Sequence, residues 1–136
     1  MSDEWVILGR EVVASGRLEV LRRQLGLNRT SMAYLLQTTG PIYTTWERNR
    51  SVGLRLPTAA RIGRFYHLAL RQVELLDEEG IKINLLVPLH QAITLLGVPQ
   101  ELMMRMYRRG DFEAVDLGIL GLWLYEEDLE QIRGLL

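Results

Sequence analysis

The sequence predicts a mainly α protein with two small domains and one β-hairpin near its C-terminal end. Three observations carry that reading. Apolar residues recur at spacings of three and four over most of the chain. Asn28, Thr39, Pro57, Pro88 and Pro99 stand where helices can begin, and Gly80 and Gly97 where they can end. The apolar period changes to two only around residues 112–124.

Taken in order, Val12, Val13, Leu18, Val20, Leu21 and Leu25 outline one helical face over residues 5–25, in spite of Gly9 and Gly16. Asn28 caps a helix over residues 29–37, and Thr39 caps another over residues 40–48. Residues 49–55 are polar and read as a loop. Pro57 suits the first turn of a long helix that Gly80 ends. Residues 80–84 read as a connector, which places the domain boundary there: 1–80 and 81–136. Helices follow from Pro88 to residue 96 and from Pro99 to residue 109, across a tight Gly97-Val98 turn. Phe112, Ala114, Asp116, Leu120, Leu122 and Leu124 alternate as a small hairpin would, and residues 126–136 close the chain as a helix.

Charge separates the two halves. Residues 1–71 hold 11 basic and 5 acidic side chains, a formal +6, and residues 72–136 hold 5 and 12, a formal −7. A basic half concentrates a polyanion at its surface. No apolar run reaches the roughly 18 residues of a membrane span, and the acidic start lacks the basic region of a secretory signal. With no cysteine there is no thiol chemistry, which fits a reducing cytoplasm. His67 and His90 stand in no metal-ligand spacing, and no phosphate loop or nucleophile elbow is present. The sequence therefore predicts no enzyme, no cofactor and no metal.

The segment GLNRTSMAYLLQTTGPIYTTWERN, residues 26–49, carries the functional reading. Met32, Ala33, Leu35 and Leu36 give its first helix a buried face, and Tyr43 and Trp46 do so for the second. Gly40, Pro41, Thr44, Thr45 and Arg48 are left outward. Two short helices joined by a tight turn, the second with one buried and one offered face, form the layout of a helix-turn-helix. The segment resembles the Cro/repressor-type helix-turn-helix family: Gly26-Leu27, Met32-Ala33, Leu35-Leu36, Tyr43 and Trp46-Glu47-Arg48 fall in register with it. The resemblance implies a five-helix DNA-binding unit over residues 17–75. It departs from the family at Gln37, where a glycine is usual, and at Gly40 and Pro41, where a small polar residue or arginine is usual.

With no arginine between Gly40 and Glu47, base reading falls to Pro41, Ile42, Thr44 and Thr45. Their methyls and hydroxyls suit A·T pairs. Arg29, Thr39, Gly40, Arg48, Asn49 and Arg50 are expected on phosphates or at the groove edge. Trp46 is expected in the core or on a phosphate. Glu47 is expected to pair with Arg17 or Arg22.

Residues 89–132 run helix, turn, helix, hairpin, helix. Ala92, Leu95-Leu96-Gly97-Val98, Arg105, Arg108, Gly110, Ala114-Val115-Asp116-Leu117-Gly118 and Glu127-Asp128-Leu129 resemble excisionase/MerR-like winged modules. By that resemblance Gln100, Glu101 and Arg105 face a major groove, with Arg108 and Arg109 on phosphates. The family wing is usually basic; Ile119-Leu120-Gly121-Leu122-Trp123 is not. Together the two resemblances are most similar to immunity repressors of temperate actinobacterial phages. They imply a repressor that holds a double-stranded operator through two modules. Two further readings stand beside this one: a homodimer joined through the C-terminal half, and an adaptor or antitoxin-like chain whose partner is a protein.

Overall fold

A computed structural model describes residues 3–136. The protein is mainly helical with a small three-stranded antiparallel sheet. Its helices are α1 (Asp3–Ala14), α2 (Arg17–Gln24), α3 (Arg29–Leu35), α4 (Gly40–Arg48), α5 (Leu56–Glu79), α6 (Leu89–Leu96), α7 (Gln100–Arg109) and α8 (Leu129–Gly134). The strands are β1 (Leu86–Pro88), β2 (Val115–Asp116) and β3 (Leu122–Tyr125). Two compact units divide the chain, Met1–Leu75 and Leu76–Leu136, so the division falls inside α5 rather than at residue 80. No helix is long and apolar enough to cross a membrane among the described residues.

In the first unit, the helical face read over residues 5–25 belongs to two helices, α1 and α2. Gly16 takes φ 79, a left-handed conformation that costs L side chains, and the chain breaks between α1 and α2 there. Val12, Val13, Leu18, Leu21 and Leu25 are buried on both sides of the break. The apolar spacing continues because both helices turn the same kind of face to one core.

Gly9 and Gly63 are where α1 and α5 cross. A Cβ on Gly9 would overlap the Ala59 carbonyl, and one on Gly63 would overlap the Trp5 carbonyl and lie 2.8 Å from the Gly9 nitrogen. Backbone lies on backbone at this crossing, with no room for a methyl.

α3 starts on Asn28, whose side chain accepts a hydrogen bond from the Ser31 N–H at 2.8 Å. α4 starts on Thr39, whose hydroxyl accepts from the Ile42 N–H at 3.4 Å. Such caps are worth about 1 kcal/mol each. Pro41 follows in the first turn, where a missing N–H costs nothing. Between the two helices Gln37 takes φ 59, a left-handed value outside glycine. α3 packs against α4, burying Met32, Ala33, Leu36, Tyr43 and Trp46.

In the second unit the expected single hairpin is part of a sheet ordered β1-β3-β2. Val115 and Asp116 face Trp123 and Leu122; Leu86, Val87 and Pro88 face Tyr125, Leu124 and Trp123. Phe112 and Ala114, read as hairpin residues from their alternation, lie outside the strands. Ala92, Met103, Met106, Leu124, Leu129 and Ile132 form the core between sheet and helices. α8 begins at Leu129, after a 3₁₀ turn over Glu126–Asp128.

Candidate nucleic-acid interface

α4 has two faces of opposite chemistry. Tyr43, Trp46 and Glu47 are buried. Pro41, Ile42, Thr45, Arg48 and Asn49 are exposed, Thr44 is half-buried, and their spacing gathers them on one side. Ile42, on this side, is 49% exposed. Trp46 is core, packed edge-on to Tyr43 with ring centroids 6.0 Å apart.

The threonine hydroxyls are partly committed. Thr44 donates to the Gly40 carbonyl at 2.8 Å, and Thr45 to the Pro41 carbonyl at 3.1 Å. Each spends its one donor on its own helix. What Thr45 can offer a base is its methyl and an accepting oxygen.

Glu47 holds α4 to its neighbours. Arg22 Nε donates to its Oε2 at 2.7 Å and Arg22 Nη2 to its Oε1 at 3.2 Å, while Arg29 Nε donates to Oε1 at 2.9 Å. The Glu47 side chain is 1% exposed. Burial alone would raise its pKa, but Arg22, Tyr43 and Arg29 outweigh that and hold it below the ordinary carboxylate range. The bond to Glu47 is the main reason the Arg22 pKa is raised. Burial, then the Glu47 carboxylate, pushes the Tyr43 phenol well above its usual range. Its hydroxyl lies near that carboxylate without a well-aligned hydrogen bond. Of the two arginines expected for Glu47, Arg22 is the partner. Arg17 pairs with Glu11 at 2.6 Å and lies over the Tyr66 ring.

Arg29 thus has its Nε on Glu47, which fixes a guanidinium expected on phosphate but leaves it 38% exposed. Thr39, Arg48, Asn49 and Arg50 are exposed around the ends of α4, and Gly40 is half-buried. Arg50 is drawn toward Glu19 at 3.8 Å. Sequence reasoning missed Arg10, whose Nη2 donates to the Leu54 carbonyl at 3.1 Å and ties α1 to the loop after α4. Its partner is a backbone oxygen, which no residue pattern marks.

In the second unit, Gln100, Glu101, Arg105 and Arg108 are exposed on α7, opposite the buried Met103 and Met106, and with Pro99 and Met104 they line a shallow groove. Arg109 is not among them. It donates to Asp111 at 2.7 and 3.1 Å, a pairing that competes with any phosphate. The apolar wing is folded inward. Leu120 and Trp123 are buried, and Trp123 Nε1 donates to the Leu120 carbonyl at 2.9 Å. Half-buried Ile119 and Leu122 and exposed Gly118 and Gly121 are what remain at its surface. His90, at the start of α6, has its pKa lowered by burial. His67 is exposed, with its ring 5.3 Å from that of Trp5.

No protein-family model matches this chain, and neither a curated protein nor a solved structure matches it.

Proposed function

We propose that the protein is a sequence-specific double-stranded DNA-binding repressor whose α3–α4 pair acts as a helix-turn-helix, with α4 in the major groove. One observation carries the reading. Between Val20 and Val73 the chain has nine arginines and a single carboxylate, Glu47. That carboxylate is buried under Arg22 and Arg29. The stretch that includes the exposed face of α4 therefore shows phosphates no negative side chain. A surface of this kind gains from every phosphate it neutralises. Pro41, Ile42, Thr44 and Thr45 would meet base edges, while Thr39, Gly40, Arg48, Asn49 and Arg50 would fix the register on the backbone. Gln100, Glu101, Arg105 and Arg108 on α7 would form a second contact, as in a winged module, without help from the wing. Repression then follows from occupancy of an operator, in the manner of a phage immunity repressor.

Selection of bound duplexes from a random library, followed by anisotropy titrations, tests this. One consensus rich in A·T pairs should emerge. Thr44→Ala and Thr45→Ala should each weaken binding to it about fivefold, near ~1 kcal/mol, and leave random duplex unaffected. Equal losses on both DNAs, or no consensus, would overturn base reading by α4.

A further inference from the structure

A cleft lies between α1 and the loop that follows α4, lined by Arg10, Ala14, Arg50, Ser51, Gly53 and Leu54. The geometry points to this cleft as a phosphate site, in which Arg10 and Arg50 hold a phosphate group from two sides. On DNA that group is a backbone phosphate beyond the groove α4 enters, an extension that rests on the function proposed above.

Arg10 is the central residue. One of its N–H groups is anchored on the Leu54 carbonyl at 3.1 Å. Its charge meets no carboxylate among the described residues, since neighbouring Glu11 is taken by Arg17 at 2.6 Å. A guanidinium carries five donors in a planar fork. One is spent on orientation, and the others are left for an oxyanion.

Arg50 lies across from it, its guanidinium resting on Gly16, where an added Cβ would come within 2.6 Å of Arg50 Cζ. Its tie to Glu19 is long, 3.8 Å, with the Arg50 side chain 53% exposed. Exposed pairs of this kind are weak, so exchanging that carboxylate for a phosphate costs little. Gly53 adds an open approach to the backbone, because a Cβ there would meet nothing within 4 Å. The Ser51 hydroxyl is turned away as a donor, toward Asn49 Oδ1 at 2.9 Å. Two cations, one unneutralised and one loosely held, flank a concave surface that carries no carboxylate. The ligand class that fits is a tetrahedral phosphate oxyanion, a singly charged phosphodiester on DNA or inorganic phosphate when free. The cleft is contiguous with Asn49 at the end of α4, so a duplex seated on that helix brings phosphates within its reach.

The experiment uses the full-length protein in two arms. In the first, inorganic phosphate and pyrophosphate are titrated into DNA-free protein while the arginine side-chain Nε resonances are followed by NMR. Saturable shifts at Arg10 and Arg50 are expected in the native protein, and the Arg50 shift should be lost in Arg10→Gln and kept in Arg10→Lys. In the second, affinity for the selected duplex is measured against salt. Arg10→Gln should weaken binding about threefold to tenfold on specific and random duplex alike, and reduce the log–log salt slope by about 0.9, one phosphate's worth. Arg10→Lys should recover most of both. Thermal melts of each variant show whether the fold is intact. Phosphate saturation without any change in DNA binding would still support the site and assign it a free oxyanion instead of a duplex. If the protein binds no DNA at all, the repressor reading fails while the first arm still decides the site. No saturable shift, together with an unchanged salt slope, would overturn it.

Discussion

Glu47 is the one carboxylate between Val20 and Val73, inside the stretch proposed to meet phosphate, and the protein buries it against two guanidiniums. Desolvation disfavours its charge; the bonds from Arg22 and Arg29 more than restore it. Removing one member of such a pair costs more than the pair contributes, because it strands the other. Glu47→Gln should therefore destabilise the first unit by about 3 kcal/mol; Arg22, with a side chain only 11% exposed, would keep only the longer pairing to Glu19 at 3.8 Å. The pH dependence has a definite sign. A carboxylate whose folded pKa is lowered contributes stability that is present above its unfolded value, 4.5 here, and lost as pH falls through the folded value. Urea melts at pH 7 and at pH 3 should show a large fall for the native protein and a smaller one for Glu47→Gln. Equal falls would place the acid sensitivity elsewhere. The sequence pointed to Glu47 as a paired, structural residue. It did not show that Arg29, eighteen positions away, shares it, because only the crossing of α3 and α4 brings the two together.

The crossing of α1 and α5 sets a different kind of limit on an element. Taken one helix at a time, Gly9 and Gly63 weaken α1 and α5, since glycine costs roughly 1 kcal/mol in a helix interior. Their use appears only when the helices are placed, for each leaves room for the other's backbone. Gly63→Ala improves helix propensity and should still destabilise the protein by about 3 kcal/mol or more, because the clash is with backbone and cannot be relieved by a rotamer. Chemical denaturation with circular dichroism reads this directly, and a stabilised variant would show that the helices can move apart freely. Periodicity has the converse weakness. Its 3–4 spacing ran straight through the break at Ser15-Gly16, because it reports which face is apolar and not where the chain turns. β1 escaped for a related reason. Leu86, Val87 and Pro88 are all buried, so they show no alternation, and their partner in sequence is nearly forty residues away at β3. The hairpin of β2 and β3 was legible in part because its partners are close in sequence.

At the scale of the whole molecule the charges bear on how much of the chain would meet DNA under the proposed function. Residues 1–75 carry a formal +5, and residues 76–136 carry −6. An acidic unit is repelled by a duplex as a whole, yet at physiological salt that repulsion is screened over about 8 Å. Docking is thus decided by the side chains within reach, and on α7 those are Arg105 and Arg108, neither of them paired with a carboxylate among the described residues. Arg109 pairs with Asp111 at 2.7 Å, so the proposed second contact on α7 rests on Arg105 and Arg108. Its contribution should show as footprint rather than as bulk affinity. A chain that uses two unlike modules selects an asymmetric consensus longer than about six base pairs, whereas a two-fold dimer selects a palindrome. Arg105→Ala should weaken binding to the full consensus about tenfold, a loss of ~1.4 kcal/mol. Duplexes cut back to the part under α4 should bind the variant and the native protein equally. A variant that binds the full consensus as tightly as the native protein would remove α7 from the interface. The acidic unit would then be free for a second copy of the chain or another protein, and sedimentation of the DNA-free protein would separate those two.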